Sequence, residues 1–167
     1  GTFDYFTEAI VGKAKAIRTD YQPTEDDNVT IKGVAGDTYA MGFLGYAYYE
    51  ENKDKVKAVA IDHGKGCVLP SRETVLDGTY QPLSRPLFIY VNVKSLDRPE
   101  VQAFVDFYLS PAARRAIRST GYVELPSEAY RIGQELVKRR KAGTFFMELP
   151  AGTPLSKFIQ ELDKELR

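Results

Sequence analysis

Arg85-Pro86-Leu87-Phe88-Ile89-Tyr90-Val91-Asn92-Val93 is apolar or aromatic at nearly every position. A strand with one face in water alternates polar and apolar residues; a strand covered on both faces does not. This stretch therefore predicts a strand buried between two layers, and a layered α/β fold around it. Working outward, Pro99 opens a helix to Leu109, with Val101, Phe104, Val105 and Tyr108 at helical spacing. Ser110-Pro111 restarts a helix to about Thr120, where Gly121 ends it. Pro126–Lys141 reads as a third helix, 142–152 as a loop, and Leu155, Phe158, Ile159, Leu162 and Leu166 as the apolar stripe of a last helix.

Upstream, the elements are shorter. Phe3 to Ala14 reads as a helix with Thr2 as its N-cap. Asp27 to Ala35 reads as a second helix, with acids suited to its dipole and Gly36 as its stop. Met41–Leu44 reads as a short buried strand whose flanking glycines permit close backbone approach. A helix over Tyr46–Asn52, the strand Val56–Ile61 and a short helix over Ser71–Asp77 follow. Strands alternating with helices again indicate layered α/β architecture. The chain changes character near Tyr80–Arg85, from Gly- and Tyr-rich short elements to one strong strand and long charged helices. The expected division is therefore 1–84 and 85–167.

The 167 residues suit one domain or two small lobes. Lys plus Arg and Asp plus Glu both number 23, so no net field attracts nucleic acid or an anionic membrane. No apolar run approaches the roughly 20 residues of a membrane helix. The single cysteine, Cys67, forms no internal disulfide and reads as a small buried hydrophobe. One histidine, His63, and one cysteine do not make a typical zinc site. Glu50-Glu51 and Asp26-Asp27 are adjacent, so on a helix they diverge and are poor acid/base pairs. No P-loop, Ser-His-Asp order or metal cluster occurs. The expectation is a chain that is not an enzyme and carries no cofactor or metal.

Gly1-Thr2 at a helix start carries the most chemistry. The first turn offers unpaired N–H groups at the positive end of the dipole, Gly lets an anion approach, and Thr adds a hydroxyl donor. Simple capping by Thr2 is the plainer alternative. Tyr39, Tyr46, Tyr48 and Tyr49 form a cluster better read as half-buried packing than as a stacking platform, because no basic groove accompanies it. Lys138-Arg139-Arg140-Lys141 is a helix end that complements the dipole. Arg72 and Arg85 flank the boundary, as anion ligands or, more simply, ion-pair partners.

Several segments together resemble phosphate-binding proteins of the PstS type: Gly1-Thr2-Phe3-Asp4-Tyr5-Phe6-Thr7-Glu8, Asp26-Asp27-Asn28-Val29, and Gly33-Val34-Ala35-Gly36-Asp37. Ala40-Met41-Gly42-Phe43-Leu44-Gly45-Tyr46-Ala47-Tyr48-Tyr49, Pro82-Leu83-Ser84-Arg85-Pro86-Leu87-Phe88-Ile89-Tyr90-Val91 and Phe107-Tyr108-Leu109-Ser110 continue the likeness in the right order. The resemblance implies a type 2 periplasmic-binding-protein fold, present as an incomplete two-lobe chain. Residues 1–84 would form most of lobe 2, and residues 85–167 the hinge crossing and the C-terminal part of lobe 1. It implies capture of inorganic phosphate for an ABC importer, outside the cytoplasm, in the periplasm or at the cell surface. The implied partners are phosphate, a membrane permease and an N-terminal portion of the same protein. Gly1 and Thr2 match the family's phosphate-contacting Ser-Gly-Thr triplet. The preceding Ser, an upstream Arg and the Asp that accepts the proton of hydrogen phosphate are expected in a segment before Gly1. Another oxyanion such as sulfate, or a stand-alone interaction fragment, are the alternatives.

Overall fold

The computed structural model describes residues 1–167. Helix α1 (Thr2–Val11) ends at Gly12, whose φ of 81° is the left-handed conformation glycine adopts without a Cβ penalty. The side chain of Thr7, inside α1, is fully buried. Its hydroxyl donates to the Phe3 carbonyl at 2.9 Å and accepts the Lys15 N–H at 2.7 Å, tying the following loop to the helix. Helix α2 (Asp27–Gly36) is capped by Asp26, whose carboxylate accepts the Asn28 N–H at 2.8 Å. Helix α3 (Tyr46–Glu50) follows a Gly-rich stretch that packs between α1 and α2. Phe43 stacks on Phe6 with ring centroids 4.0 Å apart. A Cβ on Gly42 would lie 2.8 Å from the Thr30 methyl, so only glycine fits against α2 there.

The sole ladder is a two-residue antiparallel pair, β1 (Ile61–Asp62) with β2 (Cys67–Val68), in the register Ile61–Val68 and Asp62–Cys67. Helix α4 (Arg72–Leu76) carries a capping box: Ser71 accepts the Thr74 N–H, and Thr74 accepts the Ser71 N–H. Beyond 85 the chain runs through a 3-10 helix (Val93–Asp97), α5 (Pro99–Tyr108), α6 (Pro111–Ser119), α7 (Ser127–Lys138) and α8 (Leu155–Lys164). Proline starts α5 and α6, where its missing N–H leaves no helical bond unmade. Ile132, Leu136, Ala129, Tyr130, Ala113, Val105 and Leu96 form the main buried cluster of this part. Phe88, Phe146 and Phe158 form an aromatic group beside it, with centroids 4.8–6.0 Å apart.

The helices fall close to where the periodicity puts them, most with shorter ends; α1 begins at Thr2 and stops at Gly12, short of the expected Ala14, and α2 runs through Gly36, the expected stop, to a cap at Asp37. The strands do not. Residues 84–92 run without a turn or bend, yet pair with nothing. Leu87 is 61% exposed and Tyr90 81%, so the stretch expected between two layers is bare. Met41–Leu44 is likewise unpaired, with Met41 exposed, and of Val56–Ile61 only Ile61 enters a ladder. A strand is completed by another strand, and no second segment here lies alongside these three. Only 14 of the 167 residues are buried, which leaves much apolar surface unmatched. Cys67, expected in the interior, is exposed on β2, because its ladder partner Asp62 belongs to a surface hairpin.

Candidate functional site

Gly1, not Thr2, is the N-cap of α1, and no side chain caps the helix. Thr2 is already the first helical residue; a capping side chain must sit one position earlier, on non-helical backbone. The first intrahelical bond is from the Tyr5 N–H to the Gly1 carbonyl at 3.1 Å. The N–H groups of Thr2, Phe3 and Asp4 therefore have no acceptor within the helix. Gly1 and Thr2 are both exposed, and a Cβ on Gly1 would meet nothing within 4 Å. The first turn of α1 thus carries these N–H donors, and Thr2 adds a hydroxyl. Asp4, in the same first turn, adds a negative charge that suits the dipole but opposes a bound anion.

Tyr5 fixes this helix end to the rest of the chain. Its hydroxyl donates to the carbonyls of Pro82 at 2.9 Å and Ser84 at 3.0 Å, and accepts the Gly152 N–H at 3.0 Å. Burial raises the phenol's pKa, so it stays protonated and can donate. The Arg85 guanidinium lies over the Tyr5 ring, 5.1 Å from its centroid. Sequence reasoning offered Arg85 as an anion ligand or an ion-pair partner, and missed Tyr5 altogether. An isolated tyrosine in a helix carries no signal that its hydroxyl will meet residues 77 to 147 positions away.

Arg72 is elsewhere. It forms a two-pronged ion pair with Glu124, which also accepts from Arg118 Nη1 at 2.9 Å. Glu124 is 8% exposed at its side chain, and the Arg72 guanidinium holds its carboxyl down at about 2. The basic run at the end of α7 is neutralised piecewise: Arg139 by Glu135, Arg140 by Asp97 and Lys141 by Glu165. Among the tyrosines, Tyr46 and Tyr49 pack 6.2 Å apart and half-buried, whereas Tyr39 is 96% exposed. Tyr46 donates to Glu50, and burial drives its pKa upward. His63 is exposed in the hairpin turn. No three His, Cys, Asp or Glu side chains come together as a metal site. Of the open grooves, one runs between Leu76, Pro126 and Ile159, another between Leu96, Asp106 and Val137. Neither includes Gly1 or Thr2.

No family model matches the chain. Among curated proteins it is 50% identical over 163 residues to Protein SphX of Synechocystis sp., covering 94% of this chain and 48% of the relative. It is 38% identical over 133 residues to the phosphate-binding protein PstS of Staphylococcus haemolyticus, covering 78% of this chain and 40% of the relative. A crystal structure of a possible phosphate binding protein from Planctomyces limnophilus superposes with a TM-score of 0.67 at 43% identity, over 85% of this chain and 51% of that one. The class so defined is the periplasmic-binding-protein-like solute receptors, of which the chain carries a part. Within that class its named likenesses include PstS-type phosphate-binding proteins, and it spans about half the length of the curated relatives it matches. Phosphate binding stands in the names of PstS and, as a possibility, of the Planctomyces protein. No helix is long and apolar enough to cross a membrane.

Proposed function

We propose that this chain is part of an extracytoplasmic receptor that captures inorganic phosphate for an ABC importer. Gly1 and Thr2 supply one edge of the phosphate site, and catalysis plays no part. The observation that carries the reading is that Gly1 and Thr2 open helix α1, at the end where its first-turn N–H groups lie. Its free N–H groups and the Thr2 hydroxyl are neutral donors suited to a tetrahedral oxyanion. Residues 1–84 serve as most of one lobe and residues 85–167 as the hinge crossing and part of the other. The chain's relation to phosphate-binding proteins supports this division of labour.

The test is calorimetric titration of the complete gene product with phosphate, for wild type and Thr2→Ala. Saturable binding weakened by the substitution supports the reading. Unchanged affinity removes Thr2 from the site. Tighter binding of sulfate than of phosphate in competition changes the ligand to another oxyanion.

A further inference from the structure

Glu124 has two partners of different standing. Arg118 lies six residues earlier in the same part of the chain, with Nη1 2.9 Å from Oε1. Arg72 lies 52 residues earlier, at the start of α4, on the other side of the 84/85 division. It grips both carboxylate oxygens, the planar fork matching the planar acceptor. Glu124 itself is nearly buried, while the side chains of Arg72 and Arg118 are 44% and 47% exposed. Glu73, beside Arg72, adds a second negative charge on the α4 side.

The neighbouring residues make this a shaped contact rather than a lone ion pair. Gly121, at φ 77°, seats its backbone on Ala47 of α3, and a Cβ there would lie 3.3 Å from the Ala47 Cβ. Ala47 is buried by the approach. The loop from Gly121 to Glu124 thus touches both α3 and α4, the two helices just ahead of the division.

A buried carboxylate whose sole partner departs is left stranded at large cost. Glu124 avoids this, because Arg118 moves with it. The arrangement therefore permits Arg72 to leave and return. We propose that Arg72 and Glu124 form a reversible latch between the two parts of the receptor, with Arg118 as the resident counter-charge, so that the latch sets the closed fraction and the ligand's release rate. This rests on the two-lobe reading above. These are positioning residues; none of them is proposed to touch phosphate.

The experiment uses the complete gene product with Cys67→Ser, and spin labels at Asp54→Cys and Lys138→Cys, both exposed positions. Label separations are measured first without phosphate, then release of inorganic phosphate is timed by stopped flow. Arg72→Gln should broaden the ligand-free separations toward longer distances and speed release about tenfold, the scale expected for a broken charge pair that acts on dissociation. Arg118→Gln should do the opposite, since Glu124 then depends on Arg72 alone. Thermal unfolding of both variants reports whether each is folded. A merely structural triad would shift the two variants in the same direction, and that result overturns the latch. If phosphate does not bind but the ligand-free separations still shift in opposite directions, the latch stands and the phosphate reading falls. If phosphate binds and neither variant changes separation or release, the latch falls alone.

Discussion

The phenolic oxygen of Tyr5 accepts the Gly152 N–H at 3.0 Å, across 147 residues of chain. The same hydroxyl donates to Pro82 and Ser84, so one side chain ties α1 to the segment near the 84/85 division and to the loop before α8. Tyr5→Phe keeps the ring and removes three polar contacts. Leaving the partly buried Gly152 N–H without its acceptor should cost about 1–3 kcal/mol. Urea denaturation monitored by tyrosine fluorescence or circular dichroism measures this, and an unchanged midpoint would discount the bridge.

Gly152 itself is expected to resist substitution. Its φ is 82°, and a Cβ would lie 2.9 Å from the Pro82 Cβ. Gly152→Ala adds left-handed strain of about 1–2 kcal/mol to that overlap. A lowered melting temperature is expected, whereas Gly36→Ala, in open space at the end of α2, should cost little.

Glu124 gives the chain an acid-sensitive element. Its carboxyl titrates at about 2 instead of 4.5, chiefly because Arg72 binds the charged form. A lowered carboxyl pKa adds stability above the ordinary value, and that stability is lost as pH falls from about 4.5 to about 2. With both arginines partly in water, a contribution on the order of 1–2 kcal/mol is expected. Glu124→Gln should lower stability at pH 7 and flatten its pH dependence between about 5 and 2. Parallel curves for wild type and variant would assign the acid sensitivity to other groups.

Removal of the Thr2 hydroxyl should weaken phosphate binding by about tenfold or more, the range for a hydrogen bond to a charged acceptor. Thr2→Ser, which keeps the hydroxyl, should restore most of the affinity. A loss that Ser does not recover would assign the effect to packing.

Bare apolar strands should make the 167-residue chain self-associate. Leu87, Phe88, Ile89 and Tyr90 are exposed in one unpaired run, a template for pairing with another copy. Sedimentation velocity on the isolated chain should show oligomers that Leu87→Lys with Ile89→Lys reduces. A monomer that binds no hydrophobic dye would contradict this.

The helices were legible because their causes are local. Asp26 before α2, Pro99 and Pro111 at N1, and Gly121 just beyond α6 act within one turn of the residues they govern, whereas Gly12, inside the stretch read as helix to Ala14, went unread as a stop. The helix start at Gly1-Thr2 was legible too, although the cap proved to be Gly1 and not Thr2. Phe88 and Val91 announce a strand, but a strand is realised only against a partner, and none lies beside them. The Tyr5 bridge was invisible in the same way, and although Arg72 was read as an ion-pair partner, nothing near it marked Glu124 and Arg118 as the other members of its triad. Local signals along the chain were enough for the helices, the apolar strand candidates and the likeness to phosphate-binding proteins. Only the tertiary structure decided which hydroxyl, carboxylate and guanidinium meet, because those meetings depend on chain segments 52 to 147 residues apart being brought within about 3 Å.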